Sequence, residues 1–109
     1  MVYDEVLAGR VSEVMDNFQD HEAKKMFGGV GYLLSGNMAV GVHKDKLIVR
    51  VGHDEFEKKM SMPHTVPFDI TGKAMKGWLM VEPGGVESEA DLKYWIDQGV
   101  DFANSLPPK

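Results

Sequence analysis

The chain has no cysteine, which excludes thiol nucleophiles, disulfides, zinc fingers and cysteine-ligated iron–sulfur clusters. Arginine is nearly as scarce. Arg10 and Arg50 are the only two, and 12 Lys+Arg stand against 17 Asp+Glu for a net charge of -5. That balance repels phosphate backbones and anionic bilayers, so direct nucleic-acid binding and membrane association are both disfavoured. Long apolar runs are missing too: the stretch from Phe27 to Leu34 holds three glycines and falls far short of the roughly 18 residues of a membrane span. The opening MVYDEVLAGR places two acids ahead of its arginine, the reverse of a secretory leader. A cytoplasmic location is the resulting expectation, and the lack of cysteine fits a reducing compartment. What is present, 109 residues of which 43% are apolar, suffices for one domain spanning 1–109, able to bury roughly two-thirds of its unfolded surface without disulfide or metal.

Periodicity divides that domain into helices and strands. Tyr3, Val6, Leu7, Val11, Val14, Met15 and Phe18 recur at helical spacing and predict a first helix over Val2–Phe18. Gly9 lies inside it, where glycine either marks close packing or is simply tolerated. Further on, Met38, Val40 and Val42 alternate with small or polar residues, as do Leu47, Val49 and Val51. These read as strands joined by a two-residue Lys44-Asp45 turn that pairs Val42 with Leu47 and Val40 with Val49. A three-residue Ser35-Gly36-Asn37 loop before them places Tyr32 opposite Val40 and Leu34 opposite Met38. A two-residue loop would slip the strand by one and send Tyr32 to the other face. His53–Met60 reads as a short second helix, and Val66–Ile70 as an edge strand on account of Pro67. The chain then turns at Thr71-Gly72-Lys73, and Gly77–Val81 reads as a further strand. Ser88 followed by Asp91 three residues on has the form of a capping box that opens a third helix, with Leu92, Trp95, Ile96, Gly99, Val100, Ala103 and Leu106 as its buried stripe. The order α-β-β-β-α-β-β-α predicts an α+β fold, a two-layer antiparallel sheet with helices on one face.

No stretch carries a recognisable catalytic motif. The glycines of Gly28-Gly29-Val30-Gly31 precede strand residues instead of opening a helix, so a bulge or tight bend is preferred to a phosphate loop. His21, His43, His53 and His64 are spaced too widely for a local metal motif, and neither metal nor cofactor is expected. Asp69 with Lys73, Glu55 with His53, and the hydroxyls of Ser35, Ser61 and Thr71 lack the third group that a nucleophile or acid–base site needs. Most of the eight methionines, Met15, Met38, Met60 and Met80 among them, sit at periodic apolar positions and read as core. Trp95 reads as core as well, while Trp78 has no clear place.

The second face of the central strands is the more informative feature. With Met38, Val40, Val42, Leu47, Val49 and Val51 toward the helices, the opposite face presents Leu33, Ala39, Gly41, His43, Ile48 and Arg50. Helices on one face leave this one open and flat, and Arg50 is its natural anchor for a partner carboxylate.

The strings Lys25-Met26-Phe27-Gly28-Gly29-Val30-Gly31-Tyr32, Asn37-Met38-Ala39-Val40, Leu47-Ile48-Val49-Arg50, Pro67-Phe68 and Met75-Lys76-Gly77-Trp78 come in this order before the tryptophan-bearing last helix. Together they resemble the N-terminal domain of the TfoX/Sxy family over nearly the whole chain. The resemblance implies a two-layer fold similar to that of secretion chaperones, and a regulatory setting. Longer family members act in natural competence as coactivators with the cyclic-AMP receptor protein and carry a second, C-terminal domain, whereas this chain is expected to stand alone. No catalytic residues come with the resemblance, and Met26, Phe27, Gly28, Gly29, Gly31, Met75 and Trp78 are expected to be structural.

The function expected from residues and resemblance together is that of a non-catalytic interaction or regulatory module. Its partner is expected to be a protein, such as a transcription regulator or a second copy in a homodimer. The alternative is a small-molecule-binding protein or weak enzyme with a pocket near Gly28–Gly31 and the Pro63–Met75 segment.

Overall fold

A computed structural model of the chain describes residues 3–18, 21–26, 28–69, 72 and 75–108. Helix α1 covers Glu5–Met15 and starts where Asp4 accepts hydrogen bonds from the backbone N–H groups of Val6 and Leu7, at 2.9 and 3.1 Å. That cap sets the phase of the helix: Leu7, Val11 and Met15 are buried, and Val6 is left outside. Tyr3, placed in the helix by its spacing, instead bridges to Lys44. Nothing lies within 4 Å of the position a Cβ on Gly9 would take, so this glycine marks no close packing.

Four strands follow, β1 (His21–Met26), β2 (Gly29–Leu34), β3 (Asn37–His43) and β4 (Lys46–Arg50). Helix α2 (His53–Met60) has the bounds its spacing predicts, and β5 (Thr65–Pro67), β6 (Trp78–Val81) and α3 (Glu89–Asn104) complete the fold. All neighbours in the six-stranded sheet, of order β1-β2-β3-β4-β6-β5, are antiparallel. The expected order of elements therefore holds, with β1 added at the front of the sheet. Its sequence, HEAKKM, has no apolar alternation because Glu22, Ala23, Lys24 and Lys25 are all exposed. Pairing with β2 makes it a strand, and its charges guard the edge. Pro67 sits in the other edge strand, where a missing N–H is tolerated. Ser88 caps α3 by accepting from the Asp91 N–H at 3.0 Å.

The β2–β3 hairpin departs from expectation in an instructive way. Its loop has two residues, Ser35 and Gly36, both at positive φ (50° and 86°), and Asn37 belongs to β3, paired with Leu34. Leu33 pairs with Met38, but the next residue back, Tyr32, pairs with Val40. Ala39 is the extra residue of a β-bulge. The bulge restores the expected Tyr32–Val40 partners while reversing the residues between loop and bulge, and the expected Val42–Leu47 pair holds in the next hairpin. Met38, expected to face the helices, lies on the other face with Leu33 and Ile48. Ala39, expected on that other face, is fully buried in the helix-side core.

The helix-side core joins Leu7, Val11 and Met15 of α1 to Tyr32, Val40, Leu47, Val49 and Leu79 of the sheet and to Leu92, Trp95, Ile96 and Val100 of α3. Helix α3 approaches the sheet so closely that a Cβ on Gly99 would overlap the Ala39 carbonyl. Phe56 and Met60 of α2 pack on the margin of the same core. Among the described residues no helix is long and apolar enough to cross a membrane.

Candidate functional site

Strand alternation builds the second sheet face. Leu47 and Val49 of β4 point to the helices, leaving Lys46, Ile48 and Arg50 on the other side. In β6, Leu79 and Val81 face the helices, leaving Trp78 and Met80 on the second face. Register aligns these in rows: His43 with Lys46, then Ile48 with Met80 and Val66, then Arg50 with Trp78.

This face is not the open, flat surface the sequence suggests. Phe68, just beyond β5, is 2% exposed and joins Leu33, Met38, Ile48 and Met80 in a second apolar cluster. Its carbonyl accepts from the Met75 N–H at 3.1 Å, and its ring stacks on Trp78 with centroids 5.7 Å apart. Ile48 is consequently 1% exposed and Leu33 8%, so neither is available to a partner. Gly41 lies opposite Gly31 and Ile48, and the Met38 methyl fills the space its missing side chain leaves, 2.8 Å from where a Cβ would stand. Of the six residues expected on a docking face, His43 and Arg50 are half-buried and stand at opposite ends of the covered centre.

Arg50 occupies the more elaborated end. Its Cζ lies 5.0 Å from the Trp78 ring centroid and 5.2 Å from that of Phe102, within cation–π range of both. Two glycines build this clamp. Gly77, at φ 98°, accepts from the N–H groups of Val51 and Gly52 at 2.9 and 3.0 Å, tying the end of β4 to the entry of β6. Gly52, at φ 83°, leaves room for the Phe102 ring, which a Cβ there would overlap. Burial pushes the Arg50 pKa down, but a guanidinium stays charged at any physiological pH. Among the described residues no carboxylate lies within 4 Å of it. Beside the clamp runs a groove of about 540 Å³ lined by Val51, Gly52, His53, Asp54, Glu55, Phe102 and Ser105. Such an arrangement can bind a carboxylate bidentately on the free N–H edges of the guanidinium, with apolar contact to Phe102.

The string Met75–Trp78, read as structural, supplies both Gly77 and Trp78 to this clamp, while Met75 is 39% exposed. Gly28 takes φ 72° in the turn between β1 and β2, and a Cβ on Gly29 would overlap the Val42 carbonyl. The Met26 backbone pairs with Gly29. Phe27, Ile70, Thr71 and Lys73 lie outside the described residues. Five cavities among the described residues are lined by residues other than Gly28–Gly31. Two clefts draw on the Pro63–Met75 segment: a smaller one takes in Pro63 and His64 beside Tyr94 and Trp95, and the other lies on the second sheet face. The latter takes in Val66, Pro67 and Asp69 together with His43 and Lys46, at the end of the face opposite Arg50.

The histidines stay apart. His21 contacts the Phe18 carbonyl and Asp16, His53 lies against Gly77 and His64 against Gly84. No group of three potential metal ligands forms among the described residues. Trp95 is 3% exposed, in the core. Phe102 and Phe68 were missed by sequence reasoning. The signal for Phe102 is an aromatic residue one step off the buried stripe of α3, whereas Phe68 enters only through the Pro67-Phe68 string of the family resemblance, which does not say what it covers.

Compared with known families, the chain matches the TfoX N-terminal domain over residues 13–103. No curated protein and no solved structure matches it.

Proposed function

The chain belongs to the TfoX N-terminal domain family, and from that premise we propose that it is a regulatory interaction module that docks a protein partner at Arg50. The partner presents a carboxylate beside an apolar side chain. One observation carries this reading: a half-buried guanidinium held between Trp78 and Phe102 with no carboxylate within 4 Å among the described residues. Desolvating a cation without pairing it is costly, and an incoming carboxylate repays that cost. The resemblance to regulators of competence supports a partner of the transcription-regulator class, and a second copy of the chain is the other protein that the same chemistry admits.

The test is quantitative crosslinking in cells that express the chain at native level, comparing wild type with Arg50→Gln. The expected result is one partner crosslinked through an Asp- or Glu-bearing segment and lost in the variant. Light scattering on the purified proteins shows whether that partner is a second copy. Crosslinks of equal yield in both proteins would remove the support for Arg50 as the anchor.

A further inference from the structure

We propose that the cleft at the His43–Lys46 end of the second face binds a small organic anion, a phosphate monoester or carboxylate carried on an apolar body about the size of one aromatic ring. The cleft measures about 520 Å³ and is lined by His43, Lys44, Lys46, Val66, Pro67, Asp69 and Met80. That volume is typical of small-molecule sites. It lies some four residues of β4 from Arg50, about 13 Å at the usual rise of a strand, so it is a separate site and does not depend on the docking reading.

The lining divides by chemistry. His43 and Lys46 pair across β3 and β4, which sets an imidazole and an ammonium side by side on the same face, and Lys44 joins them from the turn. Val66 and Met80 pair across β5 and β6 and, with Pro67, form the apolar part. Asp69 is the one acid in the lining. Lys46 lies 3.2 Å from Asp45, whose side chain is 57% exposed, an ion pair of the kind that a ligand displaces at little cost. Among the described residues no carboxylate lies within 4 Å of Lys44. The overall charge of -5 does not prevent anion binding here, because at physiological salt distant charges are screened beyond about 8 Å while contacting lysines are not.

Backbone geometry fixes where Lys44 stands. Lys44 sits at φ 54°, in the left-handed region that L-residues other than Asn, Asp and Gly avoid. Its carbonyl accepts from the Asp4 N–H at 2.7 Å, so the segment before α1 holds the strained turn in place. Positive φ is what a two-residue hairpin turn requires, and with the Asp4 contact it fixes Lys44 at the wall of the cleft.

The probe is phenyl phosphate, titrated into the 15N-labelled full chain, with benzoate as the carboxylate probe and inorganic phosphate as the control for the apolar half. Saturable shifts clustered at residues 43–46, 66–67 and 80 are expected, with affinity for phenyl phosphate clearly above that for inorganic phosphate. The Lys44→Gln/Lys46→Gln variant should weaken binding by roughly tenfold or more, the scale of lost charge-assisted hydrogen bonds, and Arg50→Gln should leave it unchanged. Both lysines lie at or near the surface, so the double variant keeps its fold; should it not, the wild-type shift map decides alone. The proposal is overturned by the absence of saturation at about 10 mM of either aryl probe, a weak affinity on the general scale. It is also overturned by shifts centred on Arg50, by equal affinity for inorganic phosphate, or by unchanged binding in a folded double variant.

Discussion

Arg50 and Trp78 stand directly across from each other in β4 and β6, and the guanidinium carbon lies 5.0 Å from the indole ring centroid. The pair joins the polar end of the second sheet face to its apolar centre, because the same indole stacks on Phe68. The two residues should therefore respond differently to substitution. Trp78→Ala removes a wall of the Phe68 cluster and should cost about 2 kcal/mol, below the range for a fully buried tryptophan because Trp78 is only half-buried. Arg50→Met trades a cation–π contact for relief of desolvation, two opposing effects of similar size. Its unfolding free energy in urea should stay within about 1 kcal/mol of wild type. A much larger loss for Arg50→Met would recast the arginine as a structural element.

Two glycine-to-alanine changes should have opposite signs. Gly9 lies in α1 with open space around the missing Cβ, so Gly9→Ala should stabilise by about 0.5–1 kcal/mol through helix propensity. In Gly99→Ala the new methyl would overlap the Ala39 carbonyl, and α3 must move off the sheet, at a cost of about 1–3 kcal/mol. Thermal melts of the two variants against wild type decide both. A stabilised Gly99→Ala would mean that α3 packs less tightly than the contact with Ala39 requires.

Tyr32 gives the fold a pH dependence on the alkaline side. Its hydroxyl donates to the Ala8 carbonyl at 3.0 Å and contacts the Ser12 hydroxyl at 3.0 Å. Burial is the main cause that raises its pKa, partly countered by the Ser12 hydrogen bond. A raised pKa means that the native state keeps the proton after the unfolded chain has lost it. The contribution of Tyr32 to stability is thus complete below the unfolded value of about 10 and falls as pH rises past it. Urea midpoints from about pH 8 to 11 should drop less steeply for Tyr32→Phe than for wild type, and parallel slopes would exclude the effect.

Lys59 is 8% exposed, and its ammonium donates to the Tyr94 hydroxyl at 2.7 Å with Glu55 4.0 Å away. Tyr94→Phe removes the short contact and leaves a desolvated donor, at a cost of about 1–3 kcal/mol. Lys59→Met in the same background should recover most of that loss. Failure of the double variant to recover would show that the tyrosine hydroxyl matters through Met62, 3.7 Å from it, instead of through the lysine.

Sequence by itself determined those parts of the molecule whose physics is local. The Ser88 cap, the stripe of α3, the bounds of α2 and the Val40–Val49 and Val42–Leu47 pairs were legible because capping groups and apolar periodicity act within a few residues. The family was legible from short strings spread along the chain. Tertiary structure alone decided the rest. β1 has no periodicity because Glu22, Ala23, Lys24 and Lys25, on both of its faces, are exposed, so only pairing with β2 reveals it. The bulge at Ala39 exchanged the faces of Met38 and Ala39 because one extra residue inverts a period of two, and only the packed partners on each side fix where that residue goes. Phe68 closed the face that alternation leaves open, and Phe102 met Arg50 across some fifty residues of chain. Contacts so distant in sequence leave no local trace, because packing in three dimensions and not chain neighbourhood selects them.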